Sequence, residues 1–289
     1  MRTCAGVLVL TIGGCNWVYG LSETKLRGDV DGDPRSDLDR DGIKDVEDPC
    51  IAPETDVLGD YDRDSAINSM DACPFDAGAT ADADGDGIPD ACDPIPRAGD
   101  RVRCVMTFSD PDLDVAMWRP RDQSGAWTLH VSGMLSVTGK GSIAAAWPFE
   151  GGASTTYDIA GSIGSNLAGN FDVLARAGTT PAPTDVGCRL EASSGAVFVR
   201  ALPGGAAMPV GGVTFPSTFR IQMTFAPAGA APNLRCAFRF PPSTSTIVVS
   251  ATVDDPAGHV GFSSDNVNIT TSNAVRGIAV YERADASAQ

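Results

Sequence analysis

Residues 82–93 read Asp-Ala-Asp-Gly-Asp-Gly-Ile-Pro-Asp-Ala-Cys-Asp, with carboxylates on alternate positions at Asp82, Asp84 and Asp86 and again at Asp90 and Asp93. The same beat occurs twice upstream. Residues 37–50 carry Asp37, Asp39, Asp41, Gly42, Ile43, Asp45, Asp48 and Cys50, and residues 60–73 carry Asp60, Asp62, Asp64, Ser65, Asn68, Asp71 and Cys73. The three stretches begin 23 and 22 residues apart, which marks internal repetition and not an accidental acidic run. The third keeps the head and shortens the tail. A fainter copy, Asp29, Asp31, Asp33 and Asp37, precedes the first, with Pro34 where the others carry glycine or serine.

The beat has a direct chemical meaning. A hard cation such as calcium takes six to eight oxygens at roughly 2.3–2.6 Å, and carboxylates at alternate positions of a curled loop can all point inward. Glycine in sixth place, as at Gly42 and Gly87, permits the sharp turn that brings later carboxylates round to close the shell. Ser65 and Asn68 keep oxygen donors in the middle repeat but remove the free turn and one charge, which predicts a weaker site.

Charge arithmetic agrees. Residues 29–100 hold 22 Asp and Glu against 5 Lys and Arg, whereas residues 101–289 hold 14 against 13, so the formal charge of −16 sits almost wholly in the first segment. That segment is too poor in leucine and aromatic residues to bury a core of its own. One reading is a disordered acidic linker. The better account is metal binding, because ions neutralise the repulsion and serve as the missing core.

These residues resemble the thrombospondin type 3 repeat, D-x-D-x-D-G-x-x-D-x-x-D-x-C. The first two copies match its longer form and the third its shorter form, over about a quarter of the chain. The resemblance implies an irregular chain wound around several calcium ions and tied by disulfides between successive repeats. An EF-hand is set aside because flanking helices and a twelfth-position glutamate are missing, and a dockerin because Cys73-Pro74 leaves no room for its helix.

The amino terminus points to export. Arg2 precedes a short apolar run, residues 5–12, followed by Gly13-Gly14-Cys15. Ile12-Gly13-Gly14-Cys15 resembles the bacterial lipobox, which implies a signal peptide over 1–14, acylation of Cys15 and attachment to a membrane of the bacterial envelope. An ordinary secretory peptide cleaved elsewhere is the alternative. With Cys4 and Cys15 removed from the count, Cys50, Cys73, Cys92, Cys104, Cys188 and Cys236 remain, an even number suited to an oxidising compartment. Six cysteines allow fifteen pairings. The favoured set is Cys50–Cys73 between repeats, Cys92–Cys104 clamping the last repeat to the first strand of the C-terminal domain, and Cys188–Cys236 within that domain. Zinc is disfavoured, since no C-x-x-C occurs and His130 and His259 lie far from the cysteines in strand-like segments.

Beyond a linker at 15–28 and the repeats at 29–100, residues 104–284 have the composition of a packed β protein, with a short tail at 285–289. Runs of alternating or β-rich character recur at 104–108, 126–131, 156–163, 171–177, 196–202, 219–226, 234–240, 246–253, 258–263 and 276–282, separated by Gly and Pro. The expected fold class is mostly β, an irregular repeat stalk followed by one large antiparallel β-sandwich, with no helix. The opening Phe108-Ser-Asp110-Pro-Asp112-Leu-Asp114, Trp118 and Gly125-Ala-Trp127, and the closing Gly258-His-Val-Gly-Phe262 and Gly277-Ile-Ala-Val-Tyr281, resemble the concanavalin A-like jelly roll. That resemblance implies a lectin-like domain.

Catalysis finds little support. A glucanase of that fold needs paired carboxylates on an E-x-D-x-E strand, and this domain has only Glu150, Glu191 and Glu282, widely separated. No G-x-S-x-G occurs. Nucleic acid is excluded by the acidic repeats and the lack of a basic face. Trp118, beside Arg119, Pro120 and Arg121 in an expected loop, is the candidate surface contact, whereas Trp127, alternating with Leu129 and Val131, reads as core. Asp110, Asp112 and Asp114 form either a further calcium loop or, more simply, an acidic turn. The combined expectation is a lipid-anchored surface protein in which a calcium-stiffened stalk presents a sandwich for carbohydrate or cell-surface binding and adhesion. In that picture the sandwich folds without calcium. The competing expectation is a spacer or protein-interaction module.

Overall fold

Phe219, Ile221, Met223 and Phe225 alternate with Thr218, Arg220, Gln222 and Thr224, and the period of two divides one strand between two environments. The apolar four are buried in the main core, while the polar four point to the outer side of the sheet. The same division recurs through the sandwich. A computed structural model describes residues 60–67, 71–78, 80–93, 100–106, 108, 118–122, 127–130, 133–145, 155–164, 168–177, 181–193, 196–213, 217–225, 231–243, 245–254, 259–266 and 272–283. The expected signal peptide, Cys15, Cys50, Asn68, the first repeat with its faint forerunner, Asp110–Asp114 and the tail lie outside them.

Fifteen strands are formed, and among the described residues there is no helix. The first five are β1 (Asp100–Met106), β2 (Trp118–Pro120), β3 (Trp127–His130), β4 (Met134–Thr138) and β5 (Lys140–Ala145). Next come β6 (Thr155–Ile163), β7 (Gly169–Ala177), β8 (Val186–Ser193), β9 (Ala196–Leu202) and β10 (Met208–Val210). The last are β11 (Ser217–Phe225), β12 (Leu234–Arg239), β13 (Thr246–Ala251), β14 (His259–Asp265) and β15 (Ser272–Arg283). Eight strands make one antiparallel sheet, in the order β13-β12-β11-β6-β15-β4-β3, with β1 also paired to β15. Seven make the other, in the order β10-β9-β8-β7-β14-β5-β2. The antiparallel sandwich expected from the sequence is the fold observed.

The two sheets enclose a core in which the rings of Trp118, Phe262, Trp127, Phe171 and Phe219 follow one another with centroids 5.3–6.5 Å apart. Cys188 of β8 and Cys236 of β12 bridge the sheets through a disulfide, as expected. Trp118 corrects an expectation. It is 5% exposed and stacks on Phe262, so it belongs to the core and offers no surface contact. Arg119 and Pro120 beside it are exposed, but Arg121 turns inward to Asp185 and draws the segment down.

The larger sheet is not bare on its outer side. Cys73, Ile88 and Cys92 of the repeats form a second cluster with Ala279 and Tyr281 of β15, with Ala72, Phe75, Val102 and Val105 packed against it. Gly277 makes room for this contact, because a Cβ there would meet the Phe75 ring at 2.6 Å. The polar side chains of the sheet find partners in the coil above them. The Gln222 amide donates to the Cys92 carbonyl at 3.0 Å, the Tyr281 hydroxyl to the Ala72 carbonyl at 3.3 Å, and Arg239 to Asp76 at 3.0 Å. The second and third repeats therefore lie along the sandwich and do not project from it as a stalk.

This packing also corrects the disulfides. Cys73 pairs with Cys92, and the expected Cys50–Cys73 and Cys92–Cys104 bonds do not form, because the second and third repeats fold side by side with these two Cα atoms 5.6 Å apart. Cys104 is itself disulfide-bonded, to neither of them.

Beneath the coil, Arg220 Nε donates to both oxygens of Asp158 at 2.8 Å, and Nη1 reaches Asp76 at 3.3 Å. Burial works against the Arg220 charge, but Asp158 more than offsets it and holds the group firmly protonated. Asp158→Ala strands a guanidinium that is almost wholly buried. The expected cost is about 3 kcal/mol of stability, read as a lowered urea midpoint at unchanged slope.

Candidate metal centres and recognition face

The two described repeats fold into the same local structure. Asp60 Oδ1 accepts from the backbone N–H groups of Arg63 and Asp64, and its Oδ2 from Ser65 at 2.9 Å. Asp82 does the same one repeat later, accepting from Gly85 at 2.7 Å and from Gly87 at 3.0 Å. Asp64 accepts from Ala66, and Asp86 from Ile88. The turn needs positive φ at its fourth and sixth positions. Gly85 and Gly87 supply it at 79° and 92°, whereas Arg63 and Ser65 are held there at 67° and 82° with side chains attached.

This turn gathers the carboxylates that the spacing predicts. Asp60, Asp62 and Asp64 each offer an oxygen within 4.8 Å of the other two, and so do Asp82, Asp84 and Asp86. Oδ2 of Asp62 is buried with no hydrogen-bond partner, the position of an oxygen awaiting a cation. Burial, with Asp71 and Asp64 nearby, raises the Asp62 carboxyl above its ordinary range, and burial followed by Asp64 and Asp60 does the same to Asp71. By contrast, backbone donation from Gly85 and Gly87 lowers that of Asp82. An all-oxygen donor set of this kind suits calcium. Asp90 reaches back across its loop to accept from the Ala83 N–H at 2.8 Å, and Asp93 is buried beside the sheet. The structure thus brings Asp60, Asp62 and Asp64 together, and separately Asp82, Asp84 and Asp86, while Asp71, Asp90 and Asp93 stand outside both triads.

Sequence reasoning missed Asp76. It falls outside the repeat pattern, and its position just after Cys73-Pro74-Phe75 is the only signal that it serves the sandwich and not the loops. Also missed is the outer face of the smaller sheet. Directly paired positions carry Arg200, Arg189, Asp172, Ser263 and Ser142 in a polar row across β9, β8, β7, β14 and β5. Arg189 holds Asp172 with two bonds of 2.7 and 2.8 Å, and Arg200 holds Glu191 at 2.7 Å. Arg121 reaches Ser142 at 3.0 Å and both oxygens of Asp185 at 2.8 Å. Burial raises the Asp172 carboxyl, against the lowering pull of Arg189. Asp172, Asp185 and Arg189 line a cleft of about 430 Å³ with Pro181, Pro203 and Ser263. These are fixed, bidentate arrangements that present hydrogen-bonding groups at set positions.

The class these features define is a two-sheet antiparallel β-sandwich with an acidic, loop-forming coil docked on its larger sheet. Among solved structures, the chain is similar to the exoplasmic/lumenal domain of VIP36 in its Ca2+/Man3GlcNAc-bound form, at 11% identity and a TM-score of 0.46, covering 64% of this chain and 91% of that one. It is similar to a legume lectin-like domain from Entamoeba histolytica at 10% identity and a TM-score of 0.41, covering 63% and 97%. The metal-free Emp46p carbohydrate recognition domain follows at 13% identity and 0.42, covering 61% and 93%. These are distant likenesses. No family model matches the chain. No curated protein matches it either.

Ser65 offers a test of the loop geometry. Ser65→Gly relieves a side chain in the left-handed region, so it should stabilise the second repeat by about 1 kcal/mol. Calcium affinity should tighten by up to about fivefold in a calorimetric titration, and Gly87→Ala should move both quantities the other way.

Proposed function

We propose that this chain is a calcium-ordered recognition protein of the bacterial surface, anchored through acylated Cys15, whose sandwich binds carbohydrate. The observation that carries the calcium reading is the pair of aspartate triads, each closed by the same backbone turn and one of them holding an orphaned buried oxygen. Calcium there is structural. It replaces the hydrophobic core that the coil lacks, and so it stabilises whatever the coil covers. Because the coil lies on the larger sheet, metal loading is felt by the sandwich as well. The disulfides Cys73–Cys92 and Cys188–Cys236 suit an oxidising, extracytoplasmic setting.

Recognition is assigned to the outer face of the smaller sheet. There the row from Arg200 to Ser142 and the cleft beside Asp172 present immobilised donors and acceptors of the kind that sugar hydroxyls engage. No residue is given a catalytic part, and Glu191, one of the few glutamates of the domain, is already engaged by Arg200.

Two measurements test the reading on the full chain. Calorimetric titration should show uptake of at least two calcium ions, and calcium at about 100 times its dissociation constant should stabilise the protein by about 2.7 kcal/mol per site. Asp62→Asn together with Asp84→Asn should remove most of both effects. A glycan array read in calcium should give binding that Asp185→Ala and Arg189→Ala reduce. An array with no hits leaves the chain as an envelope spacer and overturns the recognition half of the proposal.

A further inference from the structure

Where the coil meets the larger sheet it leaves a second cleft, of about 510 Å³. Tyr61 and Phe75 of the coil line it and pack edge to face, with ring centroids 5.0 Å apart. The exposed Pro241–Pro242 turn also lines it, and the exposed hydroxyl residues Thr218 and Ser243 join them. Apolar ring walls with hydroxyl groups at hand suit a pyranose, and a space of roughly 300–1,000 Å³ is the usual size for a small-ligand site.

The charges in this cleft are unevenly matched. Arg220 is held by Asp158 and Asp76, and Arg239 by Asp76. Arg276, exposed on β15, is hydrogen-bonded to the Tyr61 hydroxyl and meets no carboxylate among the described residues within ion-pair distance. Asp62 lines the same cleft. Once it ligates calcium its charge is taken up by the ion, which leaves the Arg276 guanidinium as the local excess. A guanidinium binds a carboxylate through two parallel hydrogen bonds and selects it over a neutral hydroxyl.

We propose that this cleft binds an acidic sugar, with a uronic acid ring against Tyr61 and the Pro241–Pro242 turn and its carboxylate on Arg276. The inference rests on the calcium reading above, and it concerns the opposite sheet from the face assigned to carbohydrate there.

The test is a calorimetric titration of the full chain with digalacturonic acid and with its dimethyl ester, which keeps the rings and removes the charge. In calcium, the acid should bind at least about tenfold more tightly than the ester. Arg276→Gln should erase that preference while calcium uptake stays unchanged, and Arg276→Lys should restore part of it. A chelator should weaken binding of the acid. Equal affinity for acid and ester, or a preference that survives Arg276→Gln, overturns the proposal. Calcium uptake without any binding of the acid also overturns it and leaves the calcium reading standing. Binding of the acid that depends on Arg276 but proceeds without calcium uptake supports the cleft and overturns the calcium reading.

Discussion

Arg220 lies where two unlike parts of the chain meet, held by Asp158 of its own sheet and by Asp76 of the coil. Asp158 is wholly buried and Arg220 nearly so, although both sit on the outer side of the larger sheet. Such a pair survives burial only when each partner is satisfied. The cover over it is made of residues with no core of their own, and they gain one by pressing Phe75, Ile88 and the Cys73–Cys92 bridge against Ala279 and Tyr281. Burial drives the Tyr281 hydroxyl far up from its ordinary pKa, so it stays protonated and donates to the Ala72 carbonyl. Coil and sandwich complete one another, which removes the boundary that composition draws between them.

The parts legible in the sequence were those fixed by short-range chemistry. Alternate aspartates followed by glycine specify their turn within six residues, so Asp82, Asp84 and Asp86 could be placed together without knowing what surrounds them. Strands with one buried face, such as β11 and β12, were legible through their period of two. What escaped were outcomes decided by distant partners. Trp118 looked exposed because its neighbours are Arg119, Pro120 and Arg121, yet Asp185, 64 residues beyond Arg121, turns that arginine inward and settles the tryptophan in the core. The polar side of β11 read as a solvated face. Nothing local to Thr218, Arg220 and Gln222 signals that an acidic coil lies over them, since the cover satisfies them with the same hydrogen bonds that water would provide.

Cysteine pairing illustrates the same limit. A disulfide between successive repeats was the right kind of bond at the wrong step, because spacing alone gives no preference between the first pair of repeats and the second. The choice is made by which loops lie side by side on the sheet. The smaller sheet hid its polar row for a related reason. Arg200, Arg189, Asp172, Ser263 and Ser142 are scattered over sixty residues and more of sequence and become a line only when five strands are set in register.

The Cys73–Cys92 bond also bears on how the coil responds when metal comes and goes. The bond closes a ring across a sequence separation of 19 that contains the whole of the third aspartate triad, while the second triad lies just outside it. A ring has already lost most of the freedom that an open segment must surrender on ordering. The third repeat can thus reload from a nearly assembled state, whereas the second must gather its ligands from a looser chain. The coil is graded along its length, with a persistent end at the sheet and a more responsive end beyond it, and in falling calcium the second would release its ion first.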